Sequence, residues 1–255
     1  MRQHSALSRL PGLALVIPAL LLVAWELAVG WGWLDPVFFP PPLLLARMAR
    51  QLWTSGDLPK ALAATLTRAA SGFFPGALAG VVLGIGMGIS PSVRRLFEPS
   101  LAAIYSMPKL ALLPICLLIL GVGEASRLAL IGLGAFLTMT MQVHDGMRAI
   151  DPGYLELART YGASGWLRWR RVYLPGVLPA IFTGARVSFG RSLVVAISAE
   201  LVMGSPGLGS MIWLAWQTFS TERLYVSVAA AGLLGLVSQA VLRQAERRLL
   251  PWREV

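Results

Sequence analysis

Six stretches of this 255-residue chain are apolar over roughly the length that crosses a ~30 Å hydrocarbon core, and this constrains the fold more than any other feature. In lipid each backbone polar group must be satisfied within its own segment, so apolar blocks of this length are predicted to be helices. Hydropathy places spans at about 13–31, 70–90, 99–121, 125–145, 177–200 and 224–243. The expected fold class is an all-α membrane protein with six transmembrane helices, a single domain over residues 1–255. Composition agrees, with 56% hydrophobic and 13% charged residues against ~25% charged in an ordinary soluble domain. The apolar run after Arg9 lacks a clear small-x-small cleavage site, so the first span is expected to be retained.

The net charge of +10 does not form one basic face interleaved with aromatics, which argues against nucleic acid as a partner. The cations fall between apolar blocks and read as orientation signals in a lipid membrane. With cytoplasmic termini, the inner segments hold thirteen: Arg2, Arg9, Arg94, Arg95, Arg148, Arg159, Arg168, Arg170, Arg171, Arg243, Arg247, Arg248 and Arg253. The outer segments then hold six: Arg47, Arg50, Lys60, Arg68, Arg127 and Arg223. This asymmetry favours cytoplasmic termini.

Residue types exclude several chemistries. The single cysteine, Cys116, permits neither an intrachain disulfide nor a cysteine-based metal cluster. Two histidines, His4 and His144, do not form a zinc-hydrolase pair, and no metal site is expected. Both lysines, Lys60 and Lys109, follow proline, so the Gly-Lys step of a phosphate-binding P-loop is absent. No paired-carboxylate or histidine-rich cluster points to an enzyme, and catalytic residues are expected to be none.

The 32–69 connection opens with Asp35-Pro36 and Pro40-Pro41-Pro42, which should stop the first helix. An amphipathic interfacial helix over Leu43 to Trp53 and a second short helix near 58–69 are expected to follow. In the second span Gly72, Gly76, Gly80, Gly84 and Gly88 recur every fourth residue, a small-xxx-small row that lets another helix approach closely. A substrate groove is the alternative use of that row. Pro108 and Pro114 predict a kink in the third span.

The cytoplasmic connection 146–176 carries the strongest local signals. Asp151-Pro152 is a helix start, aspartate capping and proline standing where its missing donor is harmless. Leu155, Ala158 and Gly162 then line one side, and Gly162 is a plausible C-terminal stop. Ser164 can cap a second short helix bearing Trp166, Trp169, Arg168, Arg170 and Arg171, and Leu174-Pro175 opens the fifth span. An interfacial anchor of aromatics and arginines is the alternative reading of this second helix.

Glu156-Leu157-Ala158, three residues, Gly162, nine residues, then Val172-Tyr173-Leu174-Pro175 resembles the EAA loop of bacterial ABC transporter permeases, E-A-A-x3-G-x9-I-x-L-P. Leu157 and Val172 replace the usual alanine and isoleucine. The run from Met107 to Pro114 with Leu120-Gly121-Val122-Gly123-Glu124 is similar to the third span of the aliphatic sulfonate, taurine and nitrate permeases. Gly184-Ala185-Arg186 through Ala199-Glu200 and Gly204, then Gly207-Leu208-Gly209, is similar to their fifth span. Leu118-Ile119-Leu120-Gly121 departs from the aromatic residues those permeases usually carry before the glycine.

The resemblance implies a type I importer permease in the bacterial cytoplasmic (inner) membrane. Two copies, a homodimer, would form the pathway; separate ABC ATPase subunits would use ATP; a periplasmic substrate-binding protein would deliver the solute. This chain would bind no cofactor. Residues 152–161 would be the coupling helix seated on the ATPase, with Glu156, Leu157, Ala158, Gly162, Leu174 and Pro175 as its motif. The implied substrate is a small oxyanion such as a sulfonate, taurine or nitrate, with a thiamine-precursor pyrimidine as the alternative. A stand-alone channel or carrier is the reading from a different class.

Ionised residues inside spans cost roughly 2.5–3.5 kcal/mol at the centre and should face protein or a water cavity. Lys109, Arg186, Arg191 and Glu200 are the candidate pathway residues, the cations supplying a potential that favours an anion; pairing with other helices or snorkelling is the structural alternative. Arg186 and Glu200 stand about 21 Å apart along one helix and cannot pair directly. Residues 210–219 are apolar but too short to cross, and a re-entrant or interfacial helix is expected there.

Overall fold

The computed structural model describes residues 13–250. Arg2, Arg9 and Arg253, three of the cations assigned to the inner side, lie outside the described residues, as does His4. Among the described residues the structure is helical, with no strand. The order is α1 (Leu13–Gly30), α2 (Pro42–Thr54), α3 (Asp57–Ile89), α4 (Pro91–Ser106), a 3-10 turn (Lys109–Leu112) leading into α5 (Leu113–Leu120), α6 (Glu124–Arg148), α7 (Pro152–Thr160), α8 (Gly165–Arg168), α9 (Leu174–Met203), α10 (Leu208–Gln217) and α11 (Thr221–Leu249).

Four segments are long and apolar enough to cross a membrane alone: Asp57–Ile89, Glu124–Arg148, Gly165–Met203 and Thr221–Leu249. A fifth crossing is the pair Pro91–Ser106 and Lys109–Leu120, bent by 99°. The eighteen residues of α1 span about 27 Å, near the hydrocarbon thickness.

Three boundaries differ from the sequence expectation for physical reasons. The expected separate helix at 58–69 is the first third of α3, because Pro59 stands in the first turn, where its missing N–H is harmless, and no proline or glycine interrupts the ladder between it and residue 70. The third crossing begins at Pro91 and is broken rather than kinked. Met107 adopts φ −73, ψ 142, the extended conformation that a following proline imposes, so α4 ends before Pro108. Pro114 sits in the first turn of α5 and breaks nothing. The fifth crossing starts earlier than 177: α8 runs into α9 through one wide π turn at Trp169–Tyr173, just before Pro175 removes a donor. Ser164 does precede α8, but its side chain makes no cap bond.

The core is the packing of α3, α6 and α9 against one another. Phe73, Ala77, Ala135, Met139, Val143, Met147 and Val177 form its largest buried cluster. Phe73 of α3 meets Phe189 of α9 edge to face at 5.2 Å. Along α3 the glycine row faces α6 over its whole length, and the two helices run in the same direction. A Cβ on Gly72, Gly80 or Gly84 would lie 2.7, 2.6 and 2.7 Å from Ile131, Phe136 and Thr140 respectively, while Gly76 abuts Gly132 and Gly88 abuts Met147. Van der Waals contact needs more than 3.4 Å, so side chains here would force the helices apart.

The expected amphipathic helix is α2, whose Leu52 is buried with Leu58, Ala61, Leu208, Val226 and Ala230. Glu26 of α1 accepts a hydrogen bond from the backbone N–H of Leu43 at 3.1 Å, placing a carboxylate where the dipole of α2 favours one. α10 packs on α9, α11 and α3 and spans about 15 Å, too short to cross.

Candidate functional site

At the end of the bundle formed by the 146–176 connection, the Asp151 carboxylate accepts the Gly153 N–H at 2.8 Å and caps α7. At the other end Gly162 takes φ +68, which only glycine adopts without strain, and Ala163 N–H returns to Ala158 O at 2.8 Å. α7 buries none of its residues. Glu156 points to solvent, and Tyr154, Leu157, Tyr161, Trp166 and Leu167 are exposed. Leu157 and Ala158 of α7 and Pro175 of α9 line a groove of about 720 Å³ between the two helices. Leu174 is half-buried beside it. Of the motif residues, Leu157, Ala158 and Pro175 thus share one open groove, while Glu156 and Gly162 lie outside its lining.

The ionised residues of the spans separate into three sets. Glu200 is 0% exposed and accepts from Arg68, from the Thr65 hydroxyl at 2.8 Å and from the Gly209 N–H at 3.0 Å. Arg68 also forks onto Glu124 at 2.8 and 2.9 Å, and Glu124 takes a second partner in Arg127 at 2.7 Å. This network ties α3, α6, α9 and the turn before α10 together at the end of the bundle opposite α7. Arg186 forms a 3.0 Å ion pair with Glu246 of α11, and its carbonyl accepts from Gln239 at 3.3 Å. Arg186 and Glu200 are both partnered on neighbouring helices, as their 21 Å separation along α9 demands.

Lys109 and Arg191 form the third set and differ from the others: among the described residues, neither meets a carboxylate. Both converge on Tyr105, the last-turn tyrosine of α4. Lys109 donates to the Tyr105 carbonyl at 3.0 Å and sits 4.6 Å from the ring centroid; Arg191 donates to the Tyr105 hydroxyl at 2.8 Å. The break at Met107–Pro108 makes this possible, because it turns the chain so that Lys109 faces α6 and α9 instead of continuing around α4. Gly134 of α6 leaves room for the lysine stem, whose Cγ lies 3.9 Å from where a Cβ would stand. Lys109, Arg191 and Tyr105 line a cavity of about 360 Å³ with Ile131, Thr138, Ser192, Val194 and Val195.

Arg191 lies about 26 Å along α9 from Leu174, near the helix midpoint, and is exposed on the single chain. A charge at that depth costs roughly 2.5–3.5 kcal/mol against lipid, so this face must meet water or protein.

Tyr105, Thr138 and Ser192 were not readable as site residues, since an isolated hydroxyl in an apolar helix carries no local pattern. Nor was Arg68 readable as the partner of Glu200, or Glu124 as the second carboxylate on Arg68. The available signal was the need of a buried carboxylate for a cation, and Arg68 stands just before the apolar window of α3.

Residues 76–251 match the family described as binding-protein-dependent transport system inner membrane component. The chain is 32% identical over 239 residues, 94% of its length and 87% of the relative's, to the putative aliphatic sulfonates transport permease protein SsuC of Bacillus subtilis (strain 168). It is 33% identical over 251 residues, 96% of its length and 91% of the relative's, to the taurine transport system permease protein TauC of Escherichia coli (strain K12). The nitrate import permease protein NrtB of Leptolyngbya laminosa is 30% identical over 190 residues, 74% of this chain and 68% of that one. Among solved structures, an amino acid ABC transporter with histidines aligns with TM-score 0.63 over 78% of this chain and 97% of that one, at 19% identity. The MetNI methionine ABC transporter aligns with TM-score 0.54 over 70% of this chain and 93% of that one, also at 19% identity. The helical bundle, the EAA-type loop and this covering similarity agree: the chain belongs to the binding-protein-dependent transport system inner membrane component family and is a permease of an ABC importer.

Proposed function

We infer that this permease carries a small oxyanion, of the sulfonate, taurine or nitrate kind, across a bacterial inner membrane as a homodimer with cytoplasmic termini. A periplasmic binding protein supplies the solute, and separate ATPase subunits, docked on α7, supply the energy. The observation that carries this reading is α7 itself: a capped helix with no buried residue, displaying Tyr154 and Leu157 on an open surface. An apolar face of that kind in water calls for a protein partner. The oxyanion is supported by the relatives named for sulfonates, taurine and nitrate and by two cations, Lys109 and Arg191, that meet no carboxylate among the described residues.

The coupling follows from connectivity. α7 joins α8 through the turn at Gly162, and Gly165–Met203 is one apolar helical segment. Movement of α7 when the ATPases close around ATP therefore acts on one end of a lever that carries Arg191 near its middle. ATP and the loaded binding protein favour the outward-open state, and hydrolysis restores the inward-open one. A second copy against the Arg191 face keeps that charge from lipid. The test is co-purification with the cognate ATPase. Leu157→Arg places a charge in the docking face and is expected to abolish association while leaving the permease folded; undiminished association would refute docking through α7.

A further inference from the structure

The cavity at the break of the third crossing is lined by cationic and hydroxyl side chains, Lys109, Arg191, Thr138 and Ser192, and by the apolar Ile131, Val194 and Val195. The Thr138 and Ser192 side chains are buried, at 1% and 2% exposure, and their hydroxyls have no hydrogen-bond partner. A buried hydroxyl inside a membrane helix ordinarily bonds the carbonyl a turn earlier, as Thr140 does with Phe136 at 2.7 Å. These two hydroxyls without partners stand beside two cations that, among the described residues, bond to Tyr105 and to no carboxylate, so donors outnumber acceptors here. None of the residues lining the cavity is Asp or Glu.

We propose that this cavity is a binding site within the permease for an organic oxyanion with a short apolar tail and no ammonium group. Lys109 and Arg191 hold the oxyanion head, Thr138 and Ser192 donate to its oxygens, and the tail lies along Ile131 and Val195. The volume, about 360 Å³, is of small-molecule size and far larger than a bare trigonal anion such as nitrate needs. A zwitterion is disfavoured because its ammonium enters a space holding two cations and no carboxylate. The permease thus rejects ammonium-bearing solutes independently of the binding protein. The proposal rests on the reading of the chain as an oxyanion importer and narrows it to one end of that substrate range.

The site is tested on the permease–ATPase complex in nanodiscs without binding protein, by calorimetric titration with butanesulfonate, taurine and nitrate. Butanesulfonate is expected to bind at least ~10-fold more tightly than taurine or nitrate. Lys109→Gln and Arg191→Gln are each expected to weaken butanesulfonate ~10-fold or more, Lys109→Arg to retain it, and the double variant Thr138→Val/Ser192→Ala to weaken it ~3-fold or more. Lys60→Gln, the same charge change at the far end of α3, is expected to leave it unchanged. Equal affinity for taurine and butanesulfonate, or wild-type affinity in both glutamine variants, overturns the site. ATP-driven oxyanion uptake by the full transporter, measured in parallel, separates the two failures: if it persists the importer reading stands without this site, and if no oxyanion is taken up that reading falls as well.

Discussion

Replacing Glu200 with glutamine removes one charge from a carboxylate that is 0% exposed and accepts from Arg68, Thr65 and Gly209. Glutamine keeps one acceptor oxygen and turns an NH₂ toward groups that are themselves donors, so at least one of the three loses its partner. Breaking one side of a buried pair costs 3–5 kcal/mol, and Arg68 retains its fork on Glu124, which sets the estimate near the low end, about 3 kcal/mol. Glu124 is the contrast. Its side chain is 54% exposed, so Glu124→Gln is expected to cost about 1 kcal/mol or less although Glu124 also accepts from two arginines, Arg68 and Arg127. At roughly 2–4 °C per kcal/mol for a chain of this size, Glu200→Gln lowers the melting temperature by about 6–12 °C and Glu124→Gln by no more than about 4 °C. Fluorescence-detected size exclusion after heating, on the detergent-solubilised permease, reads both. The reasoning fails if Glu200→Gln melts within ~2 °C of wild type or if Glu124→Gln is the more damaging change.

Three further outcomes follow from the packing. Gly80→Leu is expected to abolish a monodisperse peak on size exclusion, because its Cβ alone would lie 2.6 Å from the Phe136 carbonyl, whereas Gly86→Leu on the same helix meets only Val93 at 3.8 Å and is expected to be tolerated. Gly162→Val forces a β-branched residue to φ +68, a strain of about 1–2 kcal/mol, and is expected to weaken ATPase co-purification, with Gly162→Asn retaining most of it. Arg186→Gln removes the 3.0 Å ion pair to the buried Glu246 and is expected to lower thermal stability while leaving the ranking of solutes in competition uptake assays unchanged.

Features of the chain written in local spacing were legible without coordinates. Asp151-Pro152 and Gly162 announced α7 because capping chemistry is confined to a few adjacent residues. The four-residue glycine row announced a close helix contact because that period keeps one face of a helix bare. What was not legible depended on distance or on the direction of the chain. Arg68 and Glu200 are separated by 132 residues, and nothing local to either names the other. The start of α3 at Asp57 was hidden because its first turns mix Lys60, Thr65 and Arg68 with apolar residues, and hydropathy sees only the bilayer-length portion. Pro108 was read as a kink, but the extended conformation it imposes on Met107 re-aims the following segment and brings Lys109 to Tyr105 and Arg191. The pairing of Lys109 with Arg191, and the absence of a carboxylate beside them, exists only once that turn is made.

The central claim is that this chain conducts an oxyanion only when driven by an ATPase on other subunits. The direct measurement is uptake of labelled butanesulfonate into proteoliposomes holding the permease, its ATPase and its binding protein. Accumulation that requires ATP and all three components, and that stops with Leu157→Arg, is the result expected. Uptake by the permease alone without ATP, or ATP-dependent accumulation of a neutral solute with no oxyanion entering, would contradict the account.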